Sequence, residues 1–254
     1  MIAAAEATQL HHDQLNQAVL SLFNARTDFS PINRHFEARS IDNLLQWALS
    51  IFGDRVAQVT SFGPTGMVIL DHLAKVSPGI RVITLDTEFL FDETYALWEE
   101  VQRRYAIKLE IHRPSLSPEA QARTYGARLW QISPNWCCYL RKVIPLDEVL
   151  QGLDAWLTGL RRDQSTTRAH MPLVGWDSKY NLVKINPLAN WTRGQVWNYI
   201  LEHKVPYNRL HDQGYASIGC THCTRPTTNV ADERSGRWQG YQKTECGIHL
   251  SNKL

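Results

Sequence analysis

A chain of 254 residues, 43% hydrophobic and 20% charged, is long enough to bury one full α/β core with room for an appendage. A net charge of +2 excludes a generally basic nucleic-acid binder but permits a local cationic pocket. With no apolar run near membrane length and no secretory pattern, a cytoplasmic location is expected, where five cysteines point to metal ligands or reactive thiols rather than disulfides.

Residues 8–25 and 40–52 carry helical spacing, the second through Leu44, Leu45, Ala48 and Ile51. They predict an N-terminal helical segment, residues 1–52, packed on the core. Residues 56–61 form a short β-rich run, broken at 62–66 by a turn with Gly63, Pro64 and Gly66, and helical character resumes at Met67. Strand, glycine-containing turn and helix in succession point free backbone N–H groups at a phosphate. The spacing matches neither the Walker pattern nor GxGxxG.

Residues 81–86 read as a second strand, ending in a loop at Asp86 and a helix running to about Tyr105. Residues 107–112 alternate as a third strand. Strands alternating with helices predict right-handed crossovers and a parallel sheet with helices on both faces. Ligands on such sheets bind beyond the carboxyl ends of the strands, where the loops at 61–66 and 86–90 both fall.

After Pro134 a helical segment carries Cys137 and Cys138, followed by Arg141 and Lys142. Residues 155–160 read as a fourth strand leading into the basic stretch 161–168, and residues 182–186 as a fifth. Thr192 and Gln195 have capping-box form and open a helix through about His203. From Val205 the chain turns irregular, with Cys220 and Cys223 inside it. No internal repeat or linker divides the chain. Residues 53–223 read as the core and 224–254 as a tail.

Four cysteines form two pairs, adjacent Cys137 and Cys138 and the CxxC of Cys220 and Cys223. Tetrahedral zinc is poorly served by two consecutive residues reaching one ion, whereas a [4Fe–4S] cube offers each thiolate its own iron. The cube is the expected cofactor, with zinc or no metal as alternatives. Lys142, about one helical turn beyond Cys138, can offset the charge of four thiolates. The fifth cysteine, Cys246, lies in a tail with Arg234, Arg237, Lys243 and His249, a setting that favours a thiolate and an anionic electrophile.

These residues resemble the assimilatory sulfonucleotide reductases, which reduce adenosine 5′-phosphosulfate (APS) or its 3′-phosphorylated form (PAPS) to sulfite with thioredoxin. The resemblance runs from about Val56 to Leu250. It rests on Ser61-Phe62-Gly63, on Leu85-Asp86-Thr87 with Leu90-Phe91 and Glu93-Thr94-Tyr95, and on Gly159-Leu160-Arg161-Arg162. It rests further on Arg234, Arg237 and Trp238, and on the terminal Glu245-Cys246-Gly247-Ile248-His249. The implied fold is that of the adenine-nucleotide α-hydrolases, a PP-loop-like sheet with a mobile C-terminal tail. The four paired cysteines mark the family's [4Fe–4S] branch, which mostly uses APS.

By this resemblance Cys246 is the nucleophile that takes the sulfo group, releasing AMP and leaving an S-sulfocysteine for thioredoxin or glutaredoxin to reduce. Lys142, Arg168, Arg234, Arg237 and His249 match positions that hold the phosphosulfate. Ser61, Phe62, Gly63, Asp86, Thr87, Leu90 and Gly159 match the nucleotide loops. A homo-oligomer is allowed, and no nucleic-acid or membrane partner is implied. Two departures stand out. The loop reads Ser61-Phe62-Gly63-Pro64-Thr65-Gly66 instead of the superfamily's pyrophosphatase pattern, and Glu88 stands where many relatives have glycine. Glu88 is expected either to repel a 3′-phosphate or to face solvent. Gly236 and Gly240 are the expected hinge points of the tail. The competing readings are a PAPS reductase that retains the cluster, a tRNA sulfur-transferase and an iron–sulfur redox sensor.

Overall fold

Alternation along the central strands builds the molecule. The computed structural model of the protein describes residues 23–227, 232–243 and 245–249. Within β1 (Val56–Val59), Val56 joins one apolar cluster and Ala57 another; in β2 (Ile80–Leu85), Val82 and Ile83 divide the same way. In β4 (Ala155–Leu157), Ala155 and Leu157 face the larger cluster and Trp156 the smaller. Successive side chains of a strand point to opposite faces, so each of these strands is buried on both sides.

The larger cluster is closed by α2 (Ile41–Phe52), α3 (Pro64–Val76), α4 (Asp92–Arg104) and α9 (Arg193–Glu202), and the smaller by α8 (Ile144–Leu150). Ser40 caps α2 with its side chain, and Thr192 and Gln195 form the expected capping box on α9. The predicted helix at 8–25 lies mostly outside the described residues, and its end is a turn closed by Thr27 N–H on the Asn24 carbonyl. A short helix not anticipated, α1 (Ser30–Phe36), precedes α2.

The sheet has six strands in the order β3-β2-β1-β4-β6-β5, where β3 is Ile107–His112, β6 is Leu182–Ile185 and β5 is Val174–Asp177. All neighbours are parallel except β5, which pairs antiparallel with β6. The expected parallel sheet is present, with one antiparallel strand added at its edge. The hairpin escaped notice because its first strand is four residues long and contains a glycine. Strand order reverses between β1 and β4, the switch point at which an α/β sheet opens a crevice at its carboxyl ends.

Between β3 and β4 the chain forms α5 (Pro118–Tyr125), α6 (Leu129–Ile132) and α7 (Pro134–Cys138). A π-helical turn, Tyr139–Val143, then leads into α8. Pro145 lacks the N–H that an α-helix would return to Arg141, and the wide turn sits just ahead of it. Both basic residues of that turn point inward, not to solvent. Among the described residues no helix is long and apolar enough to cross a membrane.

Candidate active site

A cavity of about 250 Å³ opens at the switch point. Its floor is the loop after β1. Gly63 ends that loop and caps α3, whose first-turn N–H groups have no carbonyl within the helix and face the crevice end. Gln58, fully buried in β1, donates to the Gly66 carbonyl at 2.7 Å and ties helix to strand. Gly159, after β4, approaches so closely that an added Cβ would stand 3.2 Å from the Gly66 nitrogen. Glycine at 159 lets the two loops meet across the switch point.

Ser61, Gly63, Thr87, Leu90, Lys142, Gly159, Arg168, Arg234, Arg237, Cys246 and His249 all line this cavity. Residues separated by as much as 188 positions in the chain, Ser61 and His249, thus share one space. Phe62 and Asp86 do not line it. Phe62 takes a left-handed backbone (φ 57°) that turns its ring into the core, 5.9 Å from Trp98, and its N–H onto the Thr60 hydroxyl. Asp86 is buried as a brace, accepting from Tyr95 Oη at 2.8 Å, Arg113 Nε at 3.0 Å and the Glu88 N–H at 2.9 Å. It holds the second loop in shape from behind.

Sequence reasoning overlooked several residues of the wall. Arg161, Arg193, Glu233, Glu245, Trp156 and Trp197 also line the cavity. Two tail carboxylates each face a pair of arginines. Glu245 pairs closely with Arg168 and lies 3.3 Å from Arg234, and Glu233 lies 3.1 Å from Arg161 and 3.4 Å from Arg193. Glu245 was part of the quoted terminal motif, but neither its type nor its position signalled a pairing with Arg168, far away in sequence.

The cations do not share one environment. Burial lowers the pKa of Arg168, with Glu245 opposing, and burial together with Arg234 lowers that of Arg237. For Lys142 burial works against the charge, but the sulfurs of Cys220, Cys138 and Cys246 outweigh it and the ammonium is held more firmly than usual. Burial and the neighbouring Lys184, Arg168, Arg234 and Lys179 hold His249 well below its ordinary pKa, so it is neutral at pH 7. Its ring lies over Trp156, centroids 5.5 Å apart.

The four paired cysteines line a second, smaller cavity, roofed by Phe89, Trp130, His222 and Trp238. Trp130 and His222 stack at 3.8 Å. Lys142 and Trp238 belong to the walls of both cavities. Burial, then the charges of Cys138, Cys220 and Cys223, pushes the Cys137 thiol up to about 12; burial and the other cysteines push Cys223 up to about 11. Thr87 Oγ1 lies 3.3 Å from Cys220 Sγ, and the Thr221 N–H donates to the Phe89 carbonyl at 2.8 Å, so the second loop is bonded to the CxxC segment. Among the described residues no three His, Cys, Asp or Glu side chains are placed to hold a single metal ion.

Two expectations for single residues change. Glu88 is partly exposed but does not stand as a free negative charge, because Arg141 Nη1 donates to its carboxylate at 2.8 Å. Arg141 is 1% exposed and also reaches Gln121, the Thr87 carbonyl and the face of Phe89. Gly236 is no hinge. Its carbonyl accepts the Arg225 N–H in a bridge where Thr224 faces Arg237, and an added Cβ would stand 2.2 Å from the Arg225 oxygen. Gly240 takes a left-handed φ of 86° with nothing within 4 Å of an added Cβ.

Comparison with known proteins agrees with this geometry. Residues 55–226 match the phosphoadenosine phosphosulfate reductase domain. A protein from Halalkalibacterium halodurans named adenosine 5′-phosphosulfate reductase is 46% identical over 225 residues, covering 88% of this chain and 97% of its own length. Adenosine 5′-phosphosulfate reductase 2 of Bacillus subtilis is 47% identical over 221 residues, 86% of this chain and 94% of its own. The crystal structure of phosphoadenylyl-sulfate reductase from Candida auris superposes with a TM-score of 0.71 at 36% identity, covering 78% of this chain and 96% of that one. FMN adenylyltransferase from Candida glabrata, at 15% identity and a TM-score of 0.53, shares the fold alone. The chain belongs to the phosphoadenosine phosphosulfate reductase domain family.

Proposed function

We propose that the protein reduces adenosine 5′-phosphosulfate to sulfite and AMP through a covalent adduct on Cys246. The observation that carries this reading is the meeting of Cys246 with Lys142, Arg168, Arg234 and Arg237 in one cavity, against the loops after β1, β2 and β4. The adenosine lies along those loops, and the cations hold the phosphosulfate with its sulfur toward Cys246. The thiolate attacks that sulfur. An S–S bond forms, the S–O bond to phosphate breaks, and AMP departs with the electron pair. A dithiol protein of the thioredoxin or glutaredoxin type then attacks Cys246 Sγ, sulfite leaves with the S–S pair, and the second thiol of the reductant resolves the mixed disulfide. The two electrons come from that dithiol, which stays reduced in the cytoplasm.

Cys137, Cys138, Cys220 and Cys223 hold a [4Fe–4S] cluster in this reading. Support comes from four sulfurs around one small aromatic-lined cavity, close enough to feel one another's charge. The cluster, when bound, supplies fixed charge and rigidity beside Lys142, and no electron passes through it. APS is favoured over PAPS by the names of the relatives at 46–47% identity and by the cysteine set.

The test is sulfite release from APS and PAPS side by side, with thioredoxin present. Sulfite from APS, with a larger specificity constant than from PAPS, is expected. Sulfite from neither substrate would overturn the reading, and a preference for PAPS would overturn the substrate assignment.

A further inference from the structure

The described end of the tail is short, and what keeps it in place is specific. Glu245 is tied to the arginines already named. Gly247 is buried with φ 88°, a left-handed turn suited to glycine; Cys246 before it and Ile248 after it both line the cavity, and Ile248 also packs on the smaller apolar cluster. The carbonyls of Gly247 and Ile248 are both taken by one element, the turn that joins β5 to β6. Lys179 Nζ donates to the Gly247 carbonyl at 2.6 Å and Tyr180 Oη to the Ile248 carbonyl at 3.2 Å.

This turn is built for the task. Asn181 takes the left-handed conformation at φ 57°, and the Asp177 carbonyl accepts the N–H groups of Tyr180 and Asn181, so the hairpin is closed without help from the tail. The Tyr180 ring packs edge-on to Trp156 at 5.7 Å, and the Lys179 ammonium sits 5.1 Å from the Tyr180 ring. Both residues are half-buried, so both donors return to water when the tail leaves. Each bond then contributes only the small net difference between protein and water partners. Contacts of that kind hold a segment and still release it.

We propose that Lys179 and Tyr180 are the latch that keeps the tail closed and so are positioning residues for Cys246. Their hydrogen bonds to the tail go to main-chain carbonyls, which fixes its register through the backbone. Neither lines the cavity, so neither touches a nucleotide there. The proposal rests on the covalent reading given above, in which Cys246 meets the cavity first and a protein reductant afterwards.

The test uses Tyr180→Phe, which keeps the ring against Trp156, and Lys179→Met, which keeps the stem. In the full-length protein without nucleotide, alkylation of Cys246 by iodoacetamide is followed by peptide mass spectrometry. Each variant is expected to label about 3- to 10-fold faster than the parent, the range set by losing one half-exposed hydrogen bond. With APS and no thioredoxin, adduct formation on Cys246 slows by a similar factor, while thioredoxin reduces the preformed adduct no more slowly than in the parent. Unchanged labelling in both variants overturns the latch. So does faster labelling with a lowered melting temperature and equal slowing of both half-reactions, which marks general loosening. A parent protein that forms no adduct overturns the covalent reading, and the labelling rates still judge the latch.

Discussion

Glu88 offers a quantitative test of how the second loop is held. Its carboxylate is the charged partner of Arg141, a side chain 1% exposed whose Nη2 has no hydrogen-bond partner among the described residues. Removing one partner of a fully buried pair costs roughly 3–5 kcal/mol. Glu88 is itself 29% exposed, and Arg141 keeps Gln121 and the Thr87 carbonyl, which reduces the cost of Glu88→Ala to about 2 kcal/mol. Glu88 also sits at φ 57°, where a Cβ costs roughly 1 kcal/mol that glycine does not incur. Glu88→Gly should therefore lose only about 1 kcal/mol. At roughly 2–4 °C per kcal/mol for a chain of this size, the alanine variant melts about 4–8 °C lower and the glycine variant about 2–4 °C lower. Differential scanning fluorimetry of both variants, with the ratio of specific activities toward APS and PAPS, reads out the two consequences. Equal melting temperatures for alanine and glycine, or a changed nucleotide preference with no loss of stability, would show that the carboxylate serves the nucleotide and not Arg141.

Three further outcomes follow from the geometry. Arg234→Ala should lower the specificity constant for APS by about 10- to 150-fold, the value of one charge-assisted contact at roughly 1.5–3 kcal/mol, with little thermal change. Arg237→Ala should add a fall in melting temperature because the residue is 9% exposed and its guanidinium fills the space beside Gly219. His249 has a folded pKa below its ordinary value, so the native state binds fewer protons than the unfolded one and the stability it contributes is lost as pH falls through about 6.5 and below. The drop in melting temperature from pH 7.5 to 5.5 should accordingly be smaller in His249→Asn than in the parent, and equal drops would refute it. Protein purified without oxygen should contain about four irons and four sulfides, and serine at any of Cys137, Cys138, Cys220 or Cys223 should lower both; stoichiometric zinc without sulfide would count against the cluster.

The parts of this molecule that were legible in its sequence share a cause. Local spacing revealed α2 through Leu44, Leu45, Ala48 and Ile51, the Thr192 and Gln195 capping box revealed α9, and regular alternation of strands and crossovers revealed β1 to β3. Family resemblance named Cys246 and the cations that share its cavity. What stayed hidden depends on direction. Phe62 and Asp86 stand inside the right loops, yet a left-handed backbone at Phe62 and three hydrogen bonds at Asp86 turn both side chains away from the cavity. Arg141 is buried in the π-helical turn ahead of Pro145, and no local spacing signals that turn. Pairings such as Glu245 with Arg168 depend on where a tail docks, and no local period encodes that.

The two cavities are mechanically one. The loop after β2 lines the first cavity through Thr87 and Leu90 and the second through Phe89. Its Thr87 hydroxyl meets Cys220, its Phe89 carbonyl accepts from Thr221, and its Glu88 anchors Arg141 on the wall of the cysteine cavity. Lys142, the next residue, has its charge secured by Cys220 and Cys138 on one side and Cys246 on the other. A change in the position of the four cysteines would therefore act on the Thr87 hydroxyl and the Lys142 ammonium, both on the wall of the larger cavity, together. This is why loss of any one of those cysteines is expected to reach catalysis through geometry, because a displacement of about 1 Å at the reacting groups is enough to cost roughly 100-fold in rate.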